Sequence, residues 1–159
     1  MIRYIQENYP NGLKGAEIGT YKGLNAESMM DTLDINRLYL IDSYSRYEGY
    51  NDPFIFLKDS TLERACTRLI PWEDRLTWVV KKSDIAVYDI PSSLDFVYID
   101  GNHDYEYVLG DIELYYPKVR DGGVIGGHDI YLKGVREAVE TCFDYYYEEF
   151  PDWWVVKTG

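Results

Sequence analysis

Short apolar runs recur at wide intervals along the chain, and polar residues follow each of them. The runs are rich in β-branched and aromatic residues. Continuous apolar runs of this length are typical of strands that are covered on both faces of a sheet. We therefore predict strands at residues 15–18, 37–41, 76–80, 94–99, 123–125 and 153–156.

Amphipathic segments lie between these predicted strands. The apolar residues of 104–116 form one helical stripe that Pro117 ends, and a second stripe runs over 132–146. Residues 24–33 and 60–70 also have helical patterns. Strands that alternate with helices predict parallel βαβ units with right-handed crossovers. The predicted class is α/β, with a Rossmann-like, doubly wound, mostly parallel sheet of about six strands and helices on both faces.

Composition and charge limit the classes of partner that the protein could bind. The 159 residues predict a single domain over 1–159, and the formal net charge is −12. This acidity argues against a nucleic-acid partner, because binding to phosphates needs clustered Lys and Arg. No apolar stretch approaches the roughly 20 residues of a membrane span, and the N-terminus lacks the apolar core of a signal peptide. We expect a cytoplasmic protein with no membrane partner, in which Cys66 and Cys142 are reduced thiols rather than a disulfide.

The residues that follow the predicted strands are candidates for chemistry. In open α/β sheets, ligands bind beyond the carboxyl ends of the strands, near the point where the strand order reverses. Polar clusters occur at five of these ends, and both histidines of the chain lie in the last two. The clusters are Gly19 to Gly23, Asp42-Ser43, Ser83-Asp84, Asp100 to Asp104 and Gly126 to Asp129.

The first of these loops indicates the class of ligand. A dinucleotide-binding loop has Gly-x-Gly-x-x-Gly, but Tyr21 occupies the place of the second glycine here. A bulky side chain at that place obstructs a pyrophosphate. Asp42 follows Gly19 by 23 residues, close to the separation at which an acid accepts hydrogen bonds from ribose hydroxyls. The loop therefore predicts a nucleoside ligand without a pyrophosphate, and disfavours a nicotinamide-dependent dehydrogenase.

The order of the motifs resembles that of class I S-adenosylmethionine-dependent methyltransferases. It is most similar to the small-molecule enzymes of the methyltransferase domain 24 family, which neighbour the macrocin-type sugar O-methyltransferases. The resemblance covers roughly residues 12–157. Its motifs are Glu17-Ile18-Gly19…Gly23, Ile99-Asp100-Gly101-Asn102-His103 and Gly122-Gly123…Gly127-His128-Asp129.

The resemblance implies S-adenosylmethionine as cofactor and assigns residues to it. Gly19 and Gly23, with Thr20 in the same loop, approach the methionine moiety, and Glu17 buttresses that loop. In the same arrangement Asp42 takes the ribose diol, Ser83 and Asp84 face the adenine, and Asp100 lies near the sulfonium. A carboxylate suits the exocyclic amine of adenine, which is a pure donor.

Transfer of a methyl group to an alcohol also needs a group that removes the hydroxyl proton, or a metal that lowers its pKa. His103 is the candidate base, because the reference pKa of histidine lies closest to neutrality. By resemblance to macrolide-sugar methyltransferases, Asp100 and Asp129 hold a cation such as Mg²⁺. Asp100 has two other interpretations, as a contact of the cofactor sulfonium alone or as a cap of the following helix.

Other residues near these clusters have structural interpretations. We expect Asp104 to cap its helix, Asp111 to lie on a solvated helix face, and His128 either to pack beside its strand without a catalytic role or to take part in the site. Tyr44, Tyr47 and Tyr50 follow the second strand and are candidates for an acceptor pocket.

The predicted function is O-methylation of a small hydroxylated acceptor, with sugars first. A subunit that binds S-adenosylmethionine without turnover is the alternative. Gly101-Asn102-His103-Asp104 also matches one element of metallophosphoesterases, but the other elements of those dinuclear sites are missing from the sequence. The chain ends near its sixth predicted strand, which leaves open whether the family's seventh, antiparallel strand is present. The N-terminal extension that often closes the acceptor pocket is also missing, so a second copy in a homo-oligomer is a candidate to complete it.

Overall fold

The computed structural model describes residues 1–9, 11–45 and 60–159. They form one sheet of seven strands in the order β3-β2-β1-β4-β5-β7-β6. The strands are β1 Leu13–Ile18, β2 Ile35–Ile41, β3 Leu76–Val79, β4 Leu94–Ile99, β5 Val119–Gly127, β6 Tyr147–Glu149 and β7 Asp152–Val156. The helices are α1 Ile2–Asn8, α2 Leu24–Thr32, α3 Thr61–Leu69, α4 Ser83–Ala86, α5 Tyr105–Tyr115 and α6 Lys133–Cys142, with 3-10 turns at Ile70–Arg75 and Tyr116–Lys118.

Strands β1 to β5 run parallel to one another, and β7 is the strand that runs in the opposite direction. β1 is the third strand of the sheet and pairs with β2 on one side and β4 on the other, so the order of the strands reverses there. β7 runs antiparallel between β5 and β6. A reversal of strand order opens a crevice at the carboxyl edge of a parallel sheet, which is where ligands bind in such folds.

Alternation along the central strands sends side chains into two separate cores. In β4, Val97 and Ile99 face the core under α5 and α6, while Phe96 and Tyr98 face the core under α1, α2 and α3. The neighbouring strand has Gly15 beside Phe96, where an added Cβ would lie 2.1 Å from the ring. The two cores cover both faces of the sheet, as the apolar runs predicted.

The predicted α/β class is confirmed, and each of the six predicted strands is present. The sheet has seven strands rather than about six, because Tyr147–Glu149 forms an edge strand whose residues are all exposed. Such a strand has no buried face and therefore no apolar alternation in its sequence. The sequence left open whether the family's antiparallel strand is present. The structure contains it as β7, which coincides with the strand predicted at residues 153–156.

Several helix boundaries differ from the predictions. The helix predicted over 132–146 ends at Cys142, since Phe143 has extended backbone and packs its ring against the core. α1 and the single turn α4 were not predicted. Cys66 and Cys142 are free thiols, as expected. Within the ranges the structure describes, every helix is too short or too polar to cross a bilayer.

Candidate functional site

Three neighbouring strands end at the same level of the sheet. Ile18 of β1 is in register with Ile41 of β2 and Ile99 of β4. The ladder continues one residue further, because the amide of Gly19 donates to the carbonyl of Ile41 at 2.8 Å and the amide of Asp100 donates to that of Ile18 at 2.8 Å. Gly19, Asp42 and Asp100 therefore meet at one edge of the sheet.

His128 joins the same edge from β5. Its amide donates to the carbonyl of Ile99 at 3.0 Å, so Asp129 comes next to the end of β4. The convergence of these polar clusters was predicted from their position after the strands, and the structure brings them together.

Position 19 accepts only glycine, because of its backbone conformation and its close neighbours. Its φ of +91° lies in the left-handed region, and an added Cβ would lie 2.0 Å from the carbonyl oxygen of Asp100. Gly23 also has a positive φ, but a Cβ there would approach the side chain of Leu69 at 3.1 Å. The small size of Gly23 therefore serves the packing of the loop against α3, a role the sequence did not indicate.

Glu17 is a fully buried carboxyl group behind this loop. Its Oε1 accepts a hydrogen bond from Nδ2 of Asn25 at 2.9 Å, which ties β1 to α2. Burial raises the pKa of Glu17 to about 8, although the hydrogen bond from Asn25 acts in the opposite direction. Glu17 is therefore largely protonated at neutral pH. Thr20, which follows Gly19 in the loop, is also buried.

Asp42 organises two loops through its carboxylate. Oδ2 accepts the amide of Tyr21 at 2.8 Å, and Oδ1 accepts the amide of Tyr44 at 2.8 Å. Tyr21 and Tyr44 both have positive φ values, of 48° and 49°. Burial raises the pKa of Asp42 and the two amides lower it. Each oxygen keeps a second lone pair for a hydroxyl donor.

The predicted adenine-facing residues form the first turn of α4. Asp84 is exposed there. The Ser83 carbonyl accepts the Tyr115 hydroxyl at 2.9 Å, and the Ser83 side chain donates a hydrogen bond to Asp111.

Asp111 is buried, so the prediction that it lies on a solvated helix face is wrong. It is 5% exposed rather than solvated, and burial raises its pKa to about 7. A signal was present in the sequence, because Asp111 shares the buried stripe of α5 with Val108, Ile112 and Tyr115 at helical spacing.

An ionic cluster lies at the ends of β4 and β5. Nε2 of His103 is 2.9 Å from Oδ2 of Asp129 and 3.8 Å from Oδ1 of Asp100. Nδ1 of His128 is 2.9 Å from Oδ1 of Asp129, so both carboxylate oxygens of Asp129 have an imidazole partner. His128 thus takes part in the cluster, the second of its two interpretations.

The charges of the cluster set its pKa values. Burial alone would lower the pKa of His103, but the hydrogen bonds and charges of Asp100 and Asp129 raise it to about 9. Burial would raise the pKa of Asp129, but hydrogen bonds from His103, His128 and Tyr131 hold it well below its usual range. Burial raises the pKa of Asp100. Two carboxylates thus stabilise the charged form of His103 and place its pKa above the reference value of histidine.

The same three side chains have the geometry of a cation site. Asp100, His103 and Asp129 each offer one ligand atom, and these atoms lie within 4.8 Å of one another. Asp100 is not a helix cap, because Asp104 occupies the N-cap position of α5. Asp104 makes no side-chain capping bond there; its amide donates to Oδ1 of Asn102 at 2.9 Å.

Of the three tyrosines predicted to line an acceptor pocket, Tyr44 lies within the described residues. The hydroxyl of Tyr44 is buried without a hydrogen-bond partner among the described residues. Burial raises the pKa of Tyr44, and the charges of Asp42 and Glu17 raise it further. The amide of Tyr44 donates to Asp42, so this residue lies beside the end of β2. Tyr47 and Tyr50 lie outside the described residues.

Comparison with known proteins agrees with this arrangement. The model of a family described as a methyltransferase domain, Methyltransf_24, matches residues 16–130, well over half of the chain. The uncharacterized protein R132 of Acanthamoeba polyphaga mimivirus is 29% identical over 132 residues, which cover 77% of this chain. The chain spans 56% of the length of that relative.

Solved structures share the fold. The O-methyltransferase TomG from Streptomyces achromogenes, solved with S-adenosylmethionine, has a TM-score of 0.70 and 17% identity, covering 99% of this chain and 78% of TomG. An rRNA methylase from Streptococcus thermophilus has a TM-score of 0.67 and 12% identity, covering 99% of this chain and 94% of that protein. These similarities show the fold, and their different acceptors leave the acceptor of this chain open.

Proposed function

Since the chain belongs to the methyltransferase domain 24 family of class I S-adenosylmethionine-dependent methyltransferases, we propose that it methylates a hydroxyl group of a small acceptor such as a sugar. The observation that carries the proposal is the register that brings Gly19, Asp42 and Asp100 to one edge, beside the ion pair of His103 and Asp129. In this reaction the acceptor oxygen bonds to the methyl carbon, the bond from that carbon to sulfur breaks, and the hydroxyl proton passes to a base. The products are a methyl ether and S-adenosylhomocysteine.

The residues around Gly19 suit the nucleoside and the methionine moiety. The second lone pairs of the Asp42 carboxylate are acceptors for the two ribose hydroxyls. Asp84, exposed at the start of α4, is an acceptor for the exocyclic amine of adenine. The Tyr44 hydroxyl and Nδ2 of Asn102 are buried donors without acceptors among the described residues, and a polar ligand satisfies such groups. The side chains present therefore fit S-adenosylmethionine.

His103 is the group that we propose takes the hydroxyl proton. Its neutral form accepts the proton, and Asp100 and Asp129 stabilise the imidazolium that results. The two carboxylates thereby make His103 a stronger base than free histidine. The hydrogen bond from His128 fixes the orientation of Asp129 in turn.

A divalent cation is the second element of the proposal on the acceptor side. Two carboxylates suit Mg²⁺, while an imidazole in the same set also suits Mn²⁺ or Zn²⁺. A cation bound there supplies positive charge that lowers the pKa of the acceptor hydroxyl. Asp100 and Asp129 are the residues that we propose hold it.

Transfer of an isotopically labelled methyl group tests the proposal. S-adenosylmethionine labelled in its methyl group is incubated with the protein and a panel of methyl glycosides, with Mg²⁺ or with a chelator, and methyl ethers are detected by mass spectrometry. We expect transfer by the unaltered protein and a loss of about a hundredfold or more in His103→Ala, with Tyr145→Ala as an active, exposed control. Equal transfer by His103→Ala would exclude the assigned base, and equal transfer with chelator would exclude the cation.

A subunit that binds the cofactor without turnover is the second candidate. One observation favours it, because the pKa of about 9 keeps His103 mostly charged at neutral pH, as in a purely structural ion pair. This candidate predicts binding of S-adenosylhomocysteine together with no methylated product from any acceptor of the panel. The proposed enzyme predicts both binding and product.

A further inference from the structure

Two exposed aromatic rings lie together beside the ionic cluster. Tyr131 is 55% exposed and Phe150 is 73% exposed, and their ring centroids are 5.5 Å apart at an angle of 39°. Single exposed aromatic side chains are common on protein surfaces, but contiguous apolar surface beside a polar site is typical of ligand binding. We call this pair the aromatic platform.

The platform is anchored to the cluster through its backbone and its hydroxyl group. Ile130 is fully buried, and its amide donates to the carbonyl of Pro151 at 3.1 Å, which holds the turn between β6 and β7 against the segment after Asp129. The Tyr131 hydroxyl donates a hydrogen bond to the Asp129 carboxylate. One end of the platform therefore lies within a single hydrogen bond of the carboxylate that pairs with His103.

We propose that Tyr131 and Phe150 bind the ring of the acceptor, so that a hydroxyl on that ring reaches His103 and Asp129. This inference rests on the proposed function and deepens it. The C–H face of a pyranose ring packs on aromatic rings, and its hydroxyls donate to carboxylates such as Asp100 and Asp129. The platform supplies the first kind of contact and the cluster supplies the second.

The charges of the site narrow the acceptor further. Asp100 and Asp129 line the cluster, and the formal net charge of the chain is −12. The net charge stays strongly negative even with one divalent cation bound to Asp100 and Asp129, so the protein repels a phosphorylated or carboxylated sugar. A neutral glycoside therefore fits the platform and the cluster better than an anionic sugar does.

Saturation-transfer NMR tests the platform without turnover. The probes are methyl β-D-glucopyranoside, methyl α-L-rhamnopyranoside and catechol, each added to protein that is saturated with S-adenosylhomocysteine. The variants are Phe150→Ala and Tyr131→Ala, with Phe150→Tyr as the conservative variant. Tyr145→Ala is the matched control, since this exposed aromatic residue contacts Tyr147 rather than the platform. Calorimetric binding of S-adenosylhomocysteine by each variant reports separately on folding and on the cofactor side.

We expect saturation of at least one glycoside, and an apparent affinity about tenfold lower in Phe150→Ala and Tyr131→Ala, as expected for the loss of one aromatic contact. Phe150→Tyr and Tyr145→Ala are expected to bind as the unaltered protein does. Equal glycoside binding by Phe150→Ala, or saturation of catechol alone, would overturn the inference. Binding of S-adenosylhomocysteine without any glycoside signal would also overturn it while leaving the cofactor assignment intact, whereas failure to bind S-adenosylhomocysteine would remove the proposed function itself.

Discussion

Buried carboxyl groups at the site have opposite protonation states because their partners differ. The donors to Glu17 are the neutral side chains of Asn25 and Thr20, so burial dominates and raises its pKa to about 8. Asp129 has two imidazoles and a tyrosine hydroxyl as donors, which hold its pKa well below the usual range. Burial therefore predicts the charge of a carboxyl group only after its donors have been counted.

The raised pKa of Glu17 predicts a loss of stability with rising pH. The folded protein keeps Glu17 protonated up to a pH of about 8, whereas the unfolded chain releases this proton near 4.5. The contribution of Glu17 is thus fully present below pH 4.5 and is lost as the pH rises to about 8. Relative to Glu17→Gln, we expect the unaltered protein to lose roughly 3–5 kcal/mol of unfolding free energy across this range.

Denaturant unfolding of both proteins at several pH values measures this difference. Glu27→Gln is the control, because Glu27 is partly exposed and forms an ion pair with Arg68. A stability difference between Glu17→Gln and the unaltered protein that is constant with pH would show that Glu17 is already ionised in the folded state.

His103 provides a second test at the scale of single residues. Its imidazole should titrate near pH 9 in the unaltered protein, because Asp100 and Asp129 favour the charged form. In Asp129→Asn we expect this pKa to fall, since the nearest carboxylate is lost. NMR titration of the histidine ring protons measures both values, with the exposed Asp144→Asn as control. Titration of His103 near 6.5 in the unaltered protein would contradict the ion pair.

The positions of the site residues could be predicted from the sequence, but their protonation states could not. Asp42, Asp100 and Asp129 follow predicted strands, and parallel strands share a carboxyl edge, so their convergence follows from strand order. The pKa of His103 depends on distances of 2.9 Å and 3.8 Å to two carboxylates, and strand positions do not determine such distances. Tyr131 and Phe150 were not predicted, because Tyr131 lies beyond the polar cluster that follows β5 and Phe150 lies in the turn between the antiparallel strands β6 and β7.

At the scale of elements, the start of α6 packs closely on the loop that carries His103. A Cβ added to Gly134 would lie 2.4 Å from the carbonyl oxygen of His103 and 2.9 Å from the amide nitrogen of Tyr105. These are backbone atoms of the loop and of α5, so they cannot move away independently. The absence of a side chain at residue 134 therefore helps to position His103.

Gly134→Ala is expected to destabilise the protein by about 1–3 kcal/mol and to weaken methyl transfer. Gly110→Ala is the matched control, because Gly110 lies inside α5 with no atom within 4 Å of an added Cβ. That variant should gain up to about 1 kcal/mol, since Ala favours the helix. Denaturant unfolding distinguishes the two substitutions. Equal stability of Gly134→Ala and Gly110→Ala would show that α6 shifts without effect on the loop.

The elements that could be predicted are those with a buried face. The apolar run of β4 and the stripe of α5 follow the periods of a strand and a helix, and the structure contains both. β6 is exposed along its whole length, and α4 has only four residues, so neither has a readable period. The predicted stripe of α6 continued through Phe143 and Tyr146 because both rings pack against the same core, although the helix ends at Cys142.

At the scale of the whole molecule, three strands that are neighbours in the sheet supply the residues of one polar crevice. β2, β1 and β4 supply Asp42, Gly19 and Asp100, and β5 adds His128 and Asp129. Helices cover both faces, so the carboxyl edge is where this fold leaves polar backbone and side chains for a ligand.

Calorimetric titration of S-adenosylhomocysteine into the protein tests the central claim most directly, because it needs neither the acceptor nor turnover. We predict saturable binding of one molecule per chain, a much weaker affinity in Asp42→Ala and an unchanged affinity in Asp144→Ala. Thermal unfolding of Asp42→Ala confirms that the variant is folded. Absence of heat from the unaltered protein at millimolar S-adenosylhomocysteine would contradict a binding site for the methyl donor at this edge of the sheet.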